Sequence, residues 1–262
     1  MIDFHNHVVP GVDDGAADLE QSRTALSAFR EQGATAVVAT PHARASVTEK
    51  PGGLDAFLAS VEPARAALEE MARAEFPGLR LERGFEVMLD VPSPDLSDPR
   101  LRLAGTRFVL VEFPFMTVPP NAEQALFAVK MAGWTPVLAH PERYPGVAAA
   151  PELAEGWRRV GTLLQVNAGS LLGKYGPEAF QAARALLRRG LASYVASDYH
   201  ARGTLHVAPF RAALEARGAG ELAGLLLDEN PGRILHDEPP LPVPPLPERE
   251  RRSFFGRIFR RG

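Results

Sequence analysis

No cysteine occurs among the 262 residues. That absence excludes disulfides, thiolate metal sites and any hydrolase built on a cysteine nucleophile, so a metal here has to be held by nitrogen and oxygen. Long apolar runs are also missing, and no stretch reaches the ~20 residues that a membrane-spanning helix needs. The first residues lack a basic segment followed by an apolar one, so no signal peptide is expected and the expected location is the cytoplasm. Net charge is small, at −3, but unevenly spread. Residues 249–262 hold six arginines and one glutamate, a local +5 that leaves −8 on the rest. An acidic body with a basic tail argues against nucleic-acid binding by the main domain.

What remains is ordinary for a soluble globular chain, with 45% hydrophobic and 23% charged residues. Short apolar runs at Ile2–His5, Ala36–Thr40, Leu79–Val87, Phe108–Phe113, Pro136–His140, Leu163–Asn167 and Tyr194–Asp198 read as strands. Amphipathic stretches near 18–32, 54–75, 121–132, 151–160, 177–189 and 207–217 read as helices, with Gly33, Gly133, Gly161 and Gly190 as C-terminal stops. Strand and helix alternate about seven times, which predicts parallel α/β architecture. A barrel is favoured over an open sheet because polar candidates fall at nearly every strand end, whereas an open sheet gathers its site at one switch point. The folded domain is expected over residues 1–236. Six prolines among residues 239–247 make 237–248 an extended linker, and 249–262 form a basic amphipathic tail.

The polar candidates share one kind of place. His5 and His7 follow the first strand, two residues apart, so that on a strand they share a face. Asp13 and Asp14 come next, then His42 after the second strand, Glu86 in the third, Glu112 ending the fourth, His140 ending the fifth, and Asp198 with His200 ending the seventh. A carboxylate at the end of a buried apolar strand is costly unless it is paired or metal-bound. That cost would recur at three strands, and a metal cluster relieves all of them together. Imidazole and carboxylate ligands without sulfur suit Mn²⁺, Fe or Zn²⁺. The candidates exceed what one ion needs, so two or three ions are expected. Clustered metals serve phosphoester hydrolysis, generating hydroxide near neutral pH and neutralising phosphoryl oxygens. Arg143, three residues past His140, is placed to clamp a phosphate.

At these residues the chain resembles the PHP (polymerase and histidinol phosphatase) family, in its branch of bacterial manganese-dependent protein-tyrosine phosphatases of capsule and exopolysaccharide loci. The resemblance rests on MIDFHNHVVPGVDDGAADLEQS, ATPHAR, GFEV, VLVEFP, PVLAHPERY, LLQVNAGSLLGKYG, ASDYH and ENPGRIL, in order from residue 1 to about 235. It implies a distorted seven-stranded, TIM-like β/α barrel with a trinuclear site. Carried over, His5, His7, Glu86 and Asp198 hold one ion. Glu86 bridges to a second, held also by Glu112 and His140, and Asp14, His42 and His200 hold the third. Asp13 matches no ligand position and supports the ligands from behind. Arg143 matches a phosphate-contacting arginine. The family's asparagine after S-D-x-H is absent and the loop is short, so that either Arg202 takes the role of the second phosphate-binding arginine from a different place or that arginine is lost. His206 matches nothing in the pattern and reads as a surface residue.

The expected reaction is hydrolysis of phosphotyrosine on a protein, with Mn²⁺ the expected metal, His42 able to protonate the leaving phenolate, and no covalent phosphoenzyme. A bacterial tyrosine kinase is the expected partner protein. Two other readings are a PHP phosphoesterase acting on a small-molecule phosphate and a membrane-recruited regulatory subunit. The last is prompted by Ser253–Arg261, whose apolar residues share one helical face with arginines on the other, a pattern suited to an anionic membrane surface at the inner face of the membrane.

Overall fold

The computed structural model describes residues 1–92 and 94–246. Within them the strands are β1 (Ile2–Asp3), β2 (Ala36–Ala39), β3 (His42–Arg44), β4 (Arg80–Arg83), β5 (Glu86–Met88), β6 (Phe108–Glu112), β7 (Thr135–Ala139), β8 (Leu163–Asn167) and β9 (Tyr194–Ala196). They form two sheets, ordered β1-β2-β4 and β3-β5-β6-β7-β8-β9, and each pairing between neighbours is parallel. The pairing therefore gives nine strands in two sheets where the sequence predicts seven in one. The difference lies at two breaks. Pro41 has no N–H to donate and separates β2 from β3, and Gly84 with Phe85 separates β4 from β5. Single hydrogen bonds cross the breaks, from Gly84 N–H to the Ala39 carbonyl at 3.0 Å and from Glu86 N–H to the Pro41 carbonyl at 3.1 Å. On the other side, Asn6 bridges to Tyr199 in parallel, with Asp198 N–H donating to the His5 carbonyl at 2.8 Å.

Strands β2 and β6 to β9 are buried along their length and largely apolar on both faces because both faces are covered, whereas β4, Arg80–Arg83, is partly exposed. Alternate residues sort into two clusters: Phe108, Leu110, Val137, Leu163, Tyr194 and Ala196 pack with Phe4, while Val109, Val111, Leu138, Leu164, Val166 and Val195 pack against the helices. Following the first set along its strands leads to Glu112, to Gln165 and Asn167, and to Asp198. The interior is thus oil toward the strand starts and polar at their C-terminal ends.

The long helices are α1 (Leu19–Glu31), α2 (Gly53–Glu75), α3 (Ala122–Met131), α4 (Glu152–Arg159), α5 (Ala168–Leu171), α6 (Gly176–Arg188) and α7 (Val207–Glu215), with α5 a single turn. In α1 the Asp18 carboxylate accepts from Gln21 N–H at 2.8 Å, an N-cap. Ser22, Ala25, Leu26 and Phe29, spaced i, i+3, i+4, i+7, form its buried face. A fully buried phenylalanine such as Phe29 contributes about 1.5–3 kcal/mol. A closing run, α8 (Gly220–Gly224), a π turn and α9 (Asn230–Leu235), was not expected from periodicity.

The proline-rich stretch up to Leu246 has no helix or strand and lies along the domain. Leu246 N–H donates to the Leu187 carbonyl at 3.0 Å, the Asn230 side chain exchanges two hydrogen bonds with Leu241, and Val243 and Leu246 are buried in the main core. The basic tail, 249–262, lies outside the described residues.

Candidate metal centre

The C-terminal ends of the strands converge on one carboxylate. Glu86, wholly buried at the start of β5, has its Oε2 3.1 Å from His5 Nε2, 3.4 Å from His7 Nε2 and 3.1 Å from His42 Nδ1. Its Oε1 lies 2.9 Å from His140 Nε2. Asp198 Oδ1 is 3.4 Å from His5 Nε2 and 3.5 Å from His7 Nε2. Glu112 Oε1 lies 3.3 Å from His42 Nδ1, and Asp14 Oδ1 lies 3.6 Å from His42 Nε2 and 3.4 Å from His200 Nε2. All nine ligand candidates read from the sequence are thus brought together. The groupings are His7, Asp14, His42 and His200; His5, His140 and Asp198; His5, His7 and Glu86; and His42, Glu86 and Glu112. They differ from the sets implied by the resemblance at three residues: His140 converges with His5 and Asp198, His42 also reaches Glu86 and Glu112, and His7 also joins Asp14, His42 and His200.

The donors fit metal ions. His5 Nε2, His7 Nε2, His42 Nδ1 and Glu86 Oε2 are buried with no hydrogen-bond partner. Buried polar atoms are rarely left so. Their spacing also matches the edge of a coordination polyhedron, roughly 3.0–3.4 Å for metal–ligand bonds of ~2.1 Å. Charge points the same way. Burial opposes protonation of His5, but Glu86 and Asp198 outweigh it and push its pKa up to about 9. His7 is also raised well above its usual range: burial opposes this, and Asp13, Asp198 and Glu86 overcome it. Burial likewise opposes ionised Glu86 and Asp198, yet the surrounding histidines hold both carboxyls below the usual range. Without cations this cluster draws protons in their place.

The imidazoles are aimed from behind. His5 Nδ1 meets Gln165 Oε1 at 2.7 Å, His7 Nδ1 meets Asp13 Oδ2 at 2.7 Å, and His200 Nδ1 meets the Asp198 carbonyl at 3.0 Å. Each contact leaves Nε2 facing the cluster. Asp13 also accepts from the backbone of Gly15 at 2.9 Å and of His42 at 3.0 Å. Gln165 continues the chain of contacts to Asn167 and thence to Asp198 Oδ2. Gly15 is required here, since a Cβ on it would stand 2.1 Å from the His7 carbonyl. Two ligands sit in the left-handed region that side chains avoid, His140 at φ 35° and Asp198 at φ 50°. His140 does so directly before Pro141, where extended backbone is the rule. Such strain gathers at functional sites.

A cavity of about 570 Å³ opens above the cluster. Arg143 lines it, its Nη1 2.8 Å from Asp198 Oδ2 and its guanidinium 4.5 Å above the Tyr175 ring. Arg202 does not line the cavity. It stays exposed on the rim, 3.6 Å from Asp14. Arg44, which the sequence did not single out, does line it. Gln165 was also missed. Its signal was a glutamine two residues before an asparagine on one face of an apolar strand. His206 is half-buried beside Gly169, apart from the cluster.

The family description for CpsB/CapC, capsular polysaccharide synthesis, matches residues 1–236. The chain belongs to this family. Tyrosine-protein phosphatase YwqE of Bacillus subtilis (strain 168) is 32% identical over 256 residues, covering 97% of this chain and 99% of its own. Tyrosine-protein phosphatase CpsB of Streptococcus pneumoniae is 28% identical over 248 residues, covering 91% and 99%. Among solved structures, one from work on YwqE and the pneumococcal CpsB, described as unique metal-dependent tyrosine phosphatases, superposes with a TM-score of 0.78. It is 29% identical and covers 95% of this chain and all of its own. The residues matched to CpsB/CapC include all nine of the cluster.

Proposed function

We infer that the chain is a metal-dependent tyrosine phosphatase of capsular polysaccharide synthesis, working without a cysteine nucleophile. The observation that carries this is the convergence of nine histidine and carboxylate side chains, several buried and unpartnered, at the mouth of a fold shared with metal-dependent tyrosine phosphatases. We propose three ions, held by the nine residues named above; their donors suit Mn²⁺, Fe or Zn²⁺ alike, and Mn²⁺ is proposed on the resemblance to manganese-dependent phosphatases. Continuity across the two strand breaks and the Asn6–Tyr199 bridge supports treating the two sheets as one distorted seven-stranded barrel.

When bound, such ions supply activated water and neutralise phosphoryl charge. The chain's own residues do the rest. Glu86, at the centre, sets the spacing between the donor groups. Arg143, held between Asp198 and Tyr175, presents its fork to a phosphate, a bidentate fit that lysine lacks. Arg44 adds positive charge on another side of the cavity, and Arg202 does so from the rim. His42, part-exposed to the cavity, serves here as one of the nine ion-holding residues, and a phenolate with a pKa near ~10 departs with little help from an acid.

The proposed protein substrate is a bacterial tyrosine kinase phosphorylated on tyrosine. Among the described residues no helix is long and apolar enough to cross a membrane. We propose that the tail, 249–262, brings the domain to the inner membrane surface. Deleting it should lower binding to anionic liposomes and spare activity on a soluble phosphotyrosine peptide; equal liposome binding by both forms would remove that role.

The central test is metal analysis of purified protein together with a substrate panel of phosphotyrosine peptide, sugar phosphates and histidinol phosphate. Bound metal and preference for the peptide are expected. Preference for a small phosphate would replace this reading with that of a metabolite phosphoesterase.

A further inference from the structure

Phe115 is out of place for a phenylalanine. It is 90% exposed, three residues beyond Glu112, at the edge of the metal cavity. Both Phe115 and Met116 hold φ near +53°, a region that side chains avoid. Two adjacent strained residues and an apolar ring turned to water call for a reason at this place. Their base is firm: Phe113 is fully buried, its N–H donating to the Tyr144 hydroxyl at 3.0 Å. The strained turn therefore projects from a fixed point.

The cavity has two zones. Its floor is the histidine and carboxylate cluster with Arg143. The apolar part of its wall is made by Val47, Phe57, Met88, Phe115 and Met116, with Arg44 also in the lining. A phosphate seated on the floor sets what each ester presents to that wall. Phosphotyrosine presents its phenyl ring, because the ring separates the phosphate from the peptide backbone. Phosphoserine is shorter by that ring and would bring the polar peptide backbone against apolar side chains. A sugar phosphate would bring hydroxyls against those apolar side chains, which offer them no hydrogen bond.

We propose that Phe115, with Phe57 and Met88 in the lining of the same cavity, forms an apolar seat for the phenyl ring of a phosphotyrosine, and that this wall selects aryl over alkyl phosphates. Aromatic rings favour offset or edge-to-face contact, which an exposed phenylalanine on a fixed turn can offer. The proposal rests on the phosphatase reading given above. It assigns the choice of ester to the apolar wall and leaves the metal floor indifferent to it.

The test uses the full chain loaded with Mn²⁺, as wild type, Phe115→Ala and Phe115→Tyr. Each is assayed on a phosphotyrosine peptide and on the same peptide carrying phosphoserine, and inhibition by inorganic phosphate is measured alongside. Because Phe115 is exposed, its replacement leaves the core untouched, and circular dichroism checks this. Phe115→Ala should lower kcat/KM on the phosphotyrosine peptide about tenfold, mainly through KM. The phosphoserine rate and the inhibition constant for phosphate should hold, so that the preference for tyrosine narrows by the same factor. Phe115→Tyr should keep the wild-type values. A wild type that acts on phosphotyrosine together with a Phe115→Ala variant of unchanged preference would overturn the apolar seat alone. A wild type inactive on phosphotyrosine would overturn the phosphatase reading and the seat with it.

Discussion

Gln165 carries no charge and touches no proposed ion, yet it fixes the direction in which His5 points. With the amide oxygen on Nδ1, His5 offers Nε2 to the cluster. Gln165→Ala should therefore lower metal affinity by roughly 10–100-fold while the protein stays folded. Competition against a coloured chelator measures this, and an unchanged affinity would count against the orienting role. Residues of this kind are hard to find in a sequence. The histidines and carboxylates stood out because a charge in an apolar strand needs a partner. Gln165 and Asn167 lie in an equally apolar strand, but a neutral amide is far cheaper to bury than a charge, so the pattern is quieter. Arg44 escaped notice for the opposite reason, since an arginine just past a strand is ordinary on a surface.

The helices α1, α2, α3, α4, α6 and α7 begin and end within two residues of the expected limits, because caps and glycine stops are local. The strand breaks at Pro41 and Gly84 are not local. They depend on which carbonyl faces which N–H across the sheet, and an apolar run does not record that. The left-handed turns at His140 and Asp198 are similarly hidden, since an apolar run carries no signal for where its strand ends in a positive φ. The proline-rich segment tells a related story. Its composition excluded helix and inner strand, but not where Val243 and Leu246 would rest. Because both are buried, Val243→Ser together with Leu246→Ser should lower stability by about 3–6 kcal/mol. Denaturant unfolding would show it as an earlier midpoint, whereas an unchanged midpoint would mean that the segment adds nothing to the fold.

Across the whole molecule, the acidic excess is gathered in part where four carboxylates share one mouth with five imidazoles. Ions that bind only the folded protein stabilise it by mass action, by about 2.7 kcal/mol at a free concentration a hundred times Kd. Stripping with a chelator should abolish activity and lower the melting temperature, and Mn²⁺ should restore both. Activity that survives stripping would rule out a metal-dependent reaction. The docked proline segment adds a matter of orientation. Leu246 is fastened to Leu187 near the end of α6, where the chain turns toward the beginning of β9, while Asp198 lies beyond the far end of that strand. The domain thus has two poles: chemistry occupies one, and the chain's last described contact occupies the other. On the proposed attachment through residues 249–262, the pull is received at the rear, and the working pole is left facing outward to meet a phosphorylated chain.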